Sequence, residues 1–276
     1  MLLKYINSTK EEKDMEKKAI FFDIDGTIYS YDKGVIKDTG DAIRELRANG
    51  HLAFLCTGRT YPMVTDDIRN IGFDGVIAGG GTYIEFGNEV LFMKEIETDI
   101  TNSVIECMRK NGIMPIPEGH KYLYFETEDK IKSVYRKAYD TYMRSIPDRI
   151  RLIDMGEVRA AKVSGAFDDN SNIDSVIKEM EREFRYVIHN EKLLELIPRD
   201  YSKAEGIKLL INEIGIKWEN TYAYGDSFND LEMLKYVKHG VAMGNSHKDL
   251  FEMVEYRTGD YDKGGIRESL ERFGLL

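Results

Sequence analysis

The stretch "KAIFFDIDGTIYS", residues 18–30, decides the fold. Ala19 to Phe22 is a continuous apolar run, the pattern of a strand buried on both faces. Two carboxylates, Asp23 and Asp25, follow at once, and then Gly26 and Thr27. An Asp after a strand often caps a turn, and Asp-Gly is a turn dipeptide, so either acid alone is ordinary. The composite D-x-D-G-T is not, since four fixed positions arise by chance in roughly one chain of this length in several hundred. Two acids in one place can divide two roles. One can attack phosphorus as a nucleophile while its neighbour hands a proton to the leaving oxygen. Like charges at close quarters push their pKa values apart, so one stays ionised and the other holds a proton. Gly26 lets the backbone approach a phosphate, and the amides of the turn at Gly26 and Thr27 can bind its oxygens.

Working outward, "TGDAIRELRANG" (39–50) predicts a helix capped by Thr39 and stopped by Gly50, with Ile43 and Leu46 on one face. "HLAFLCT" predicts the next strand. "YPMVTDDIRNIG" predicts a helix from Pro62 to Gly72, and "DGVIAGGG" a third strand. Short apolar strands alternating with amphipathic helices indicate a parallel sheet covered on both faces, a Rossmann-like α/β core.

The rhythm changes between about 84 and 190. "YIEFGNEVLFM" predicts a hairpin turning at Gly87-Asn88. "EDKIKSVYRKAYDTYMRSI" and "NIDSVIKEMEREF" predict two helices with the strand "VRAAKVSGAF" between them. This describes an inserted α+β domain. The expected division is therefore a core at 1–83, an insert at 84–190 and the rest of the core at 191–276. Gly79-Gly80-Gly81 reads as a hinge between them. Residues 1–14, polar and followed by Met15, read as a frayed extension or as the product of an upstream start.

Ligands of an open α/β sheet bind at the C-terminal ends of its strands. Three further polar clusters fall at such points: Thr57-Gly58-Arg59, Ser202-Lys203, and "GDSFND" (225–230). Asp226 and Asp230 can each act as a helix cap, but one helix start explains one acid and not both. Carboxylate oxygens favour a hard cation such as Mg²⁺, and Asp23 and Asp226 at neighbouring strand ends can share one. Lys203 is of a type that usually lies on the surface. "SKAE" reads as a capping box of Ser202 with Glu205, which puts Lys203 in a first helical turn against the helix dipole. A residue set against a local rule is a candidate site residue, and a phosphate at that helix end would reverse the argument. Thr57 alone is no more than a turn residue. Cys56 reads as a buried small hydrophobe. The five histidines are scattered and read as structural or surface residues.

Together and in this order the clusters resemble the haloacid dehalogenase (HAD) superfamily of phosphohydrolases, in its Cof-type branch, which carries an inserted α+β cap of the C2B type. The likeness runs from about Lys18 to Phe273. "DIDGT", "TGR", Lys203 in "SKAEGI" and "GDSFND" match the four motifs of the family, and "VAMGN" and "GGIRESL" resemble its tail. The resemblance implies that Asp23 is a nucleophile forming an aspartyl-phosphate and that Asp25 is general acid and then base, its carbonyl on the metal. It implies that Thr57 and Lys203 hold phosphoryl oxygens, with Gly26, Thr27, Gly58, Arg59 and Asn229 around the substrate. Asp226 would ligate Mg²⁺ with Asp23 and Asp25, supported or joined by Asp230. Many relatives have Asn-Gly where this chain has Gly80-Gly81, so no substrate contact is carried to that position.

The expected activity is a Mg²⁺-dependent phosphatase of small phosphorylated metabolites, either sugar phosphates or nucleotides. The alternatives are a phosphomutase of the same superfamily and a non-catalytic binding protein that keeps the fold. A receiver module also phosphorylates an Asp but is far shorter. The net charge of -10 argues against nucleic acid or an acidic membrane as partner. No apolar run approaches the length needed to span a bilayer, and no secretory signal is read at the start. Cys56 and Cys107 are too few for a disulfide framework, which fits a reduced cytoplasmic protein. The insert offers Arg144, Arg159, Lys162 and many tyrosines to a substrate, with nothing in their spacing to choose among them. The oligomeric state is left open.

Overall fold

The computed structural model describes residues 16–30, 32–189 and 192–276. The reading of residues 1–14 lies outside them. The chain divides into two compact units. The first holds the described chain up to Cys56, Asn70–Val76 and Lys203–Leu276, and the second holds Thr57–Arg69 and Ile77–Ser202.

The first unit is a parallel α/β sheet. Strand Ala19–Phe22 lies between Thr221–Gly225 and Leu52–Cys56, with Ala19 opposite Thr221 and Leu52. His239–Ala242 and then Tyr256–Arg257 extend it beyond Thr221–Gly225. All four residues of the first strand are fully buried. Successive side chains leave opposite faces of a strand, and both faces are filled. Phe21 stacks on Phe54 and Phe22 on Tyr224, each pair with ring centroids 5.2 Å apart. Helices Lys37–Ala48, Lys203–Ile214 and Gly265–Arg272 bury Ile43 and Leu46, Ile207 and Leu210, and Ile266 and Leu270. The first of these starts two residues before the expected cap. Ile36 is its N-cap with no side-chain bond, and Thr39 is buried within the helix. Asp38 in the first turn supplies the negative charge that favours this start.

The second unit holds the hairpin Tyr83–Phe86 and Glu89–Met93. Its turn has positive φ at Gly87 (57°) and Asn88 (67°), the geometry that matches strand twist. A six-stranded sheet follows in the order Ile150–Leu152, Leu123–Phe125, Met114–Glu118, Lys162–Ala166, Leu193–Pro198, Phe184–His189. One face packs Val163, Leu194 and Leu196 on Val104, Met108 and Val176 of helices Thr98–Lys110 and Ile173–Met180. The other packs Met114, Ile116, Phe125 and Ala166 on Tyr139 and Tyr142 of helix Arg136–Ser145.

Other expectations differ from the structure as well, and of the helix expected from Pro62 to Gly72 only the turn Tyr61–Met63 and the short helix Asp66–Arg69 form. The helix expected over 128–146 forms only at Arg136–Ser145, because the chain stays extended at Ile131 and turns that side chain into the core. The boundary expected at 190–191 falls inside a hairpin, with His189 opposite Leu193. The strand Leu193–Pro198 thus belongs to the second sheet, and the first unit resumes at Lys203. Among the described residues, no helix is long and apolar enough to cross a membrane.

Candidate active site

The first strand hands its register to the turn that follows. Asp23 N–H still donates to Tyr224 O at 3.0 Å, one residue past the strand. The chain then folds back, and Ile24 O accepts from the amides of Thr27, Ile28 and Tyr29. Gly26 sits at φ +76°, and a Cβ there would lie 2.2 Å from Asp226 Oδ2. Glycine is required twice over, by its backbone angle and by the close approach of the Asp226 carboxylate. One expectation is corrected at this turn. The amides of Gly26 and Thr27, expected to bind phosphate oxygens, donate within the turn to Tyr29 O (2.9 Å) and Ile24 O (3.2 Å). The Thr27 side chain is fully buried.

Lys203, the first residue of helix Lys203–Ile214, is 4% exposed. Its Nζ lies 2.6 Å from Asp23 Oδ1 and 2.6 Å from Asp230 Oδ1. Burial disfavours the ammonium, but the charges of Asp23 and Asp230 outweigh it and raise the Lys203 pKa. Asp230, fully buried, is engaged on both oxygens. Oδ1 takes the lysine, and Oδ2 accepts from the amides of Asp226 (3.0 Å) and Ser227 (3.1 Å). Residues 227 and 230 form the capping box that starts the turn Phe228–Asp230. Asp230 is thus a cap, as its spacing allows, and also the second anchor of the lysine.

Asp23, Asp226 and Asp230 each bring one carboxylate oxygen to within 4.8 Å of the others. Four acids, counting Asp25, act on this point against a single lysine. Burial, and then the charges of Asp230, Asp25 and Asp226, raise the Asp23 pKa against the pull of Lys203. Burial and the charges of Asp230 and Asp25 push Asp226 up to about 7. The donor set is all oxygen and carries uncompensated negative charge, which suits a hard divalent cation. Since both Asp230 oxygens are engaged by the protein, Asp23 and Asp226 are the side chains that would hold it.

Cys56, buried, puts its Sγ 3.9 Å from Lys203 O, and burial pushes its thiol pKa far up, so it is inert. Asn229 is exposed and accepts from Ser227 Oγ at 2.6 Å. Thr57, Gly58 and Arg59 fall in the second compact unit. There Thr57 Oγ1 accepts from Arg59 N–H at 3.1 Å, and Arg59 reaches Met63 O at 3.3 Å. Asn245 was given no role by its sequence. Its Nδ2 donates to Gly26 O at 2.9 Å and its Oδ1 accepts from Tyr261 N–H at 3.1 Å, which pins the turn. Its position in "VAMGN", directly after a strand, was the available signal.

Comparison with known proteins identifies the family. Residues 20–270 match the haloacid dehalogenase-like hydrolase family. The chain is 30% identical to YkrA of Bacillus subtilis (strain 168), which carries a provisional phosphatase name, over 95% of this chain and 100% of that one. It is 22% identical to YwtE of the same organism, named as a 5-amino-6-(5-phospho-D-ribitylamino)uracil phosphatase, over 90% and 95% of the two chains. Among solved structures, a Geobacillus kaustophilus HTA426 protein superposes with a TM-score of 0.82 at 27% identity, over 94% of this chain and 100% of that one. A sugar phosphatase of HAD subclass IIB superposes with a TM-score of 0.80 at 24% identity, over the same shares. Phosphatases of this kind generally depend on a divalent metal. The chain belongs to the haloacid dehalogenase-like hydrolases, as a phosphatase of the Cof type.

Proposed function

We propose that this chain is a Mg²⁺-dependent phosphatase of small phosphorylated metabolites that works through an aspartyl-phosphate on Asp23. The observation that carries the reading is the Lys203 ammonium at 2.6 Å from both Asp23 and Asp230. Lys203 binds one oxygen of Asp23 and leaves the other to attack. Mg²⁺ held by Asp23 and Asp226 would supply positive charge against the phosphoryl oxygens and against the acids themselves.

In the first step an Asp23 oxygen bonds to phosphorus as the ester oxygen leaves, and protonated Asp25 gives that oxygen its proton. In the second step Asp25, now a carboxylate, takes a proton from water as the water oxygen bonds to phosphorus. Asp23 is released as a carboxylate, and inorganic phosphate departs. Thr57 and Lys203 would hold phosphoryl oxygens throughout, with Gly58, Arg59 and Asn229 near the substrate.

The first compact unit would be the catalytic core, and the second a cap that chooses the substrate. Cytoplasmic location fits the two buried, unpaired cysteines. The names of YwtE and of the subclass IIB structure support phosphorylated polyols or sugars as substrates. The test is hydrolysis of p-nitrophenyl phosphate with Mg²⁺ and with EDTA, by the native chain and by Asp23→Asn. Turnover abolished by EDTA and by the substitution is expected. Asp23→Asn activity equal to that of the native chain would falsify the reading.

A further inference from the structure

The turn after the first strand is held from outside itself. Gly26 N–H donates within the turn, to Tyr29 O at 2.9 Å. Gly26 O instead accepts from Asn245 Nδ2 at 2.9 Å, a residue 219 positions later in the chain. Asn245 lies just after strand His239–Ala242. An Asn in such a place ordinarily bonds its own backbone two residues on and so makes the turn. Here the backbone closes that turn unaided, with Ser246 N–H on Met243 O at 3.0 Å. Both ends of the Asn245 side chain are directed to distant partners, Nδ2 to Gly26 O and Oδ1 to Tyr261 N–H at 3.1 Å. A side chain released from its local task and committed elsewhere is a candidate for a functional one.

The same short segment grips a second carbonyl. Met243 N–H donates at 3.0 Å to Gly225 O, directly before Asp226. The segment is itself seated on the loop 258–261. Thr258 N–H donates to Ala242 O and Gly244 N–H to Gly259 O, each at 3.0 Å. Gly244 fits so closely that a Cβ there would lie 2.5 Å from Asp260 Oδ1. The two carbonyls that residues 243–245 hold both border the Asp226 carboxylate. Gly225 precedes Asp226 in the chain, and Gly26 packs on it with no room for a Cβ, which would lie 2.6 Å from Asp226 Cγ. All of these residues belong to the first unit.

We infer that Asn245 is a positioning residue for the divalent cation. By holding Gly26 O while Met243 holds Gly225 O, it sets the gap between the turn at Asp23–Gly26 and Asp226, the two arms proposed to carry the ion. This rests on the Mg²⁺ reading above. Asn245 acts through the backbone of Gly26 and needs no contact with the ion or the substrate. The arms have reason to drift, since their carboxylates repel one another across the site. Mg²⁺ demands near-ideal octahedral geometry with oxygens at about 2.0–2.1 Å, so drift of either arm is felt as lost affinity.

The test is calorimetric titration with Mg²⁺ alone, without substrate, of the native full chain, Asn245→Ala and Asn245→Asp, beside the metal-free Tm of each. Asn245→Ala should bind Mg²⁺ about tenfold more weakly or worse, the usual loss when a group that orients a metal ligand is removed. Its metal-free Tm should stay native, because Asn245 is exposed and its turn closes without the side chain. Asn245→Asp keeps an acceptor for Tyr261 N–H but offers Gly26 O no donor. It should lose affinity as well, although its added negative charge by itself favours a cation. The Mg²⁺ concentration that gives half-maximal turnover of p-nitrophenyl phosphate should rise in the same proportion. Native Mg²⁺ affinity in either variant overturns the inference. So does a loss of affinity that comes with a matching fall in metal-free Tm, as a merely structural role would give. Mg²⁺ binding that the substitutions leave alone spares the metal reading, whereas a native chain that binds no Mg²⁺ sinks that reading and this inference with it.

Discussion

Each unit of the molecule buries a lysine between two carboxylates, and the two sets are built differently. In the first unit Lys203 meets Asp23 and Asp230 at 2.6 Å each, and further acids at Asp25 and Asp226 leave the set short of positive charge. In the second unit Lys162 meets Glu118 and Glu195, with His189 beside the latter, and Glu195 stays ionised down to about 2. The first set sits in loops and at a helix start, at or beyond the ends of buried strands. The second sits inside strands, fixed by register. A cluster left with excess negative charge is poised for a cation, whereas the second meets its charges within its own unit.

The largest effect that would break this comparison is on turnover. Asp23→Asn should lower kcat by roughly 10⁴-fold or more, as removal of a nucleophile does. Lys203→Met should be inactive too, and should also leave two buried carboxylates without their cation. Loss of one partner from such a group costs roughly 3–5 kcal/mol, which urea unfolding would read as a lower midpoint. Lys203→Met with native stability would mean that the 2.6 Å contacts do not organise the site.

Next comes Asp25→Ala, expected to slow breakdown of the phosphoenzyme by roughly 10²–10⁴-fold, the usual range for a general base. Single-turnover chase with acid quench measures it, and an unchanged rate removes Asp25 from that role. Lys162→Met sharpens the contrast, since it should cost stability of the same order as Lys203→Met, about 3–5 kcal/mol, without removing an acid or base from the reaction.

The smallest effect concerns pH. Asp226 has a folded pKa of about 7 against an ordinary 3.8. A raised carboxylate favours the folded state most at low pH, and that contribution is lost as pH rises from about 4 through 7. The metal-free protein should therefore lose Tm across that range. Mg²⁺ needs the ionised form, so its affinity should fall by about tenfold for each pH unit below 7. Thermal shift with and without Mg²⁺ at pH 5 and pH 8 should show the larger metal-induced rise at pH 8, and an equal rise at both would contradict the assignment.

The first cluster could be read in the sequence because its members obey topology. Strand ends of a parallel sheet converge, so "DIDGT", Lys203 and "GDSFND" were expected to meet despite their distance in the chain. Lys203 also stood out by opposing its own helix dipole. The second cluster could not be read this way. Lys162 looked no different from Arg144 or Arg159, because its partners are set by the pairing of Lys162 with Glu118 and of Ser164 with Glu195. The commitment of both Asp230 oxygens and the pinning of Gly26 by Asn245 were equally out of reach, since a residue's type does not say which donors surround it.

The sequence alone determined the parallel core, the acids at the mouth of its first strand and the family. These follow from local apolar runs and from glycines demanded by backbone geometry, which act within a few residues. The tertiary structure decided where the first unit resumes, how far the helix after Ile131 extends, and which lysine lies between which acids. Those outcomes depend on burial and strand register between segments far apart in the chain, and no local pattern encodes them.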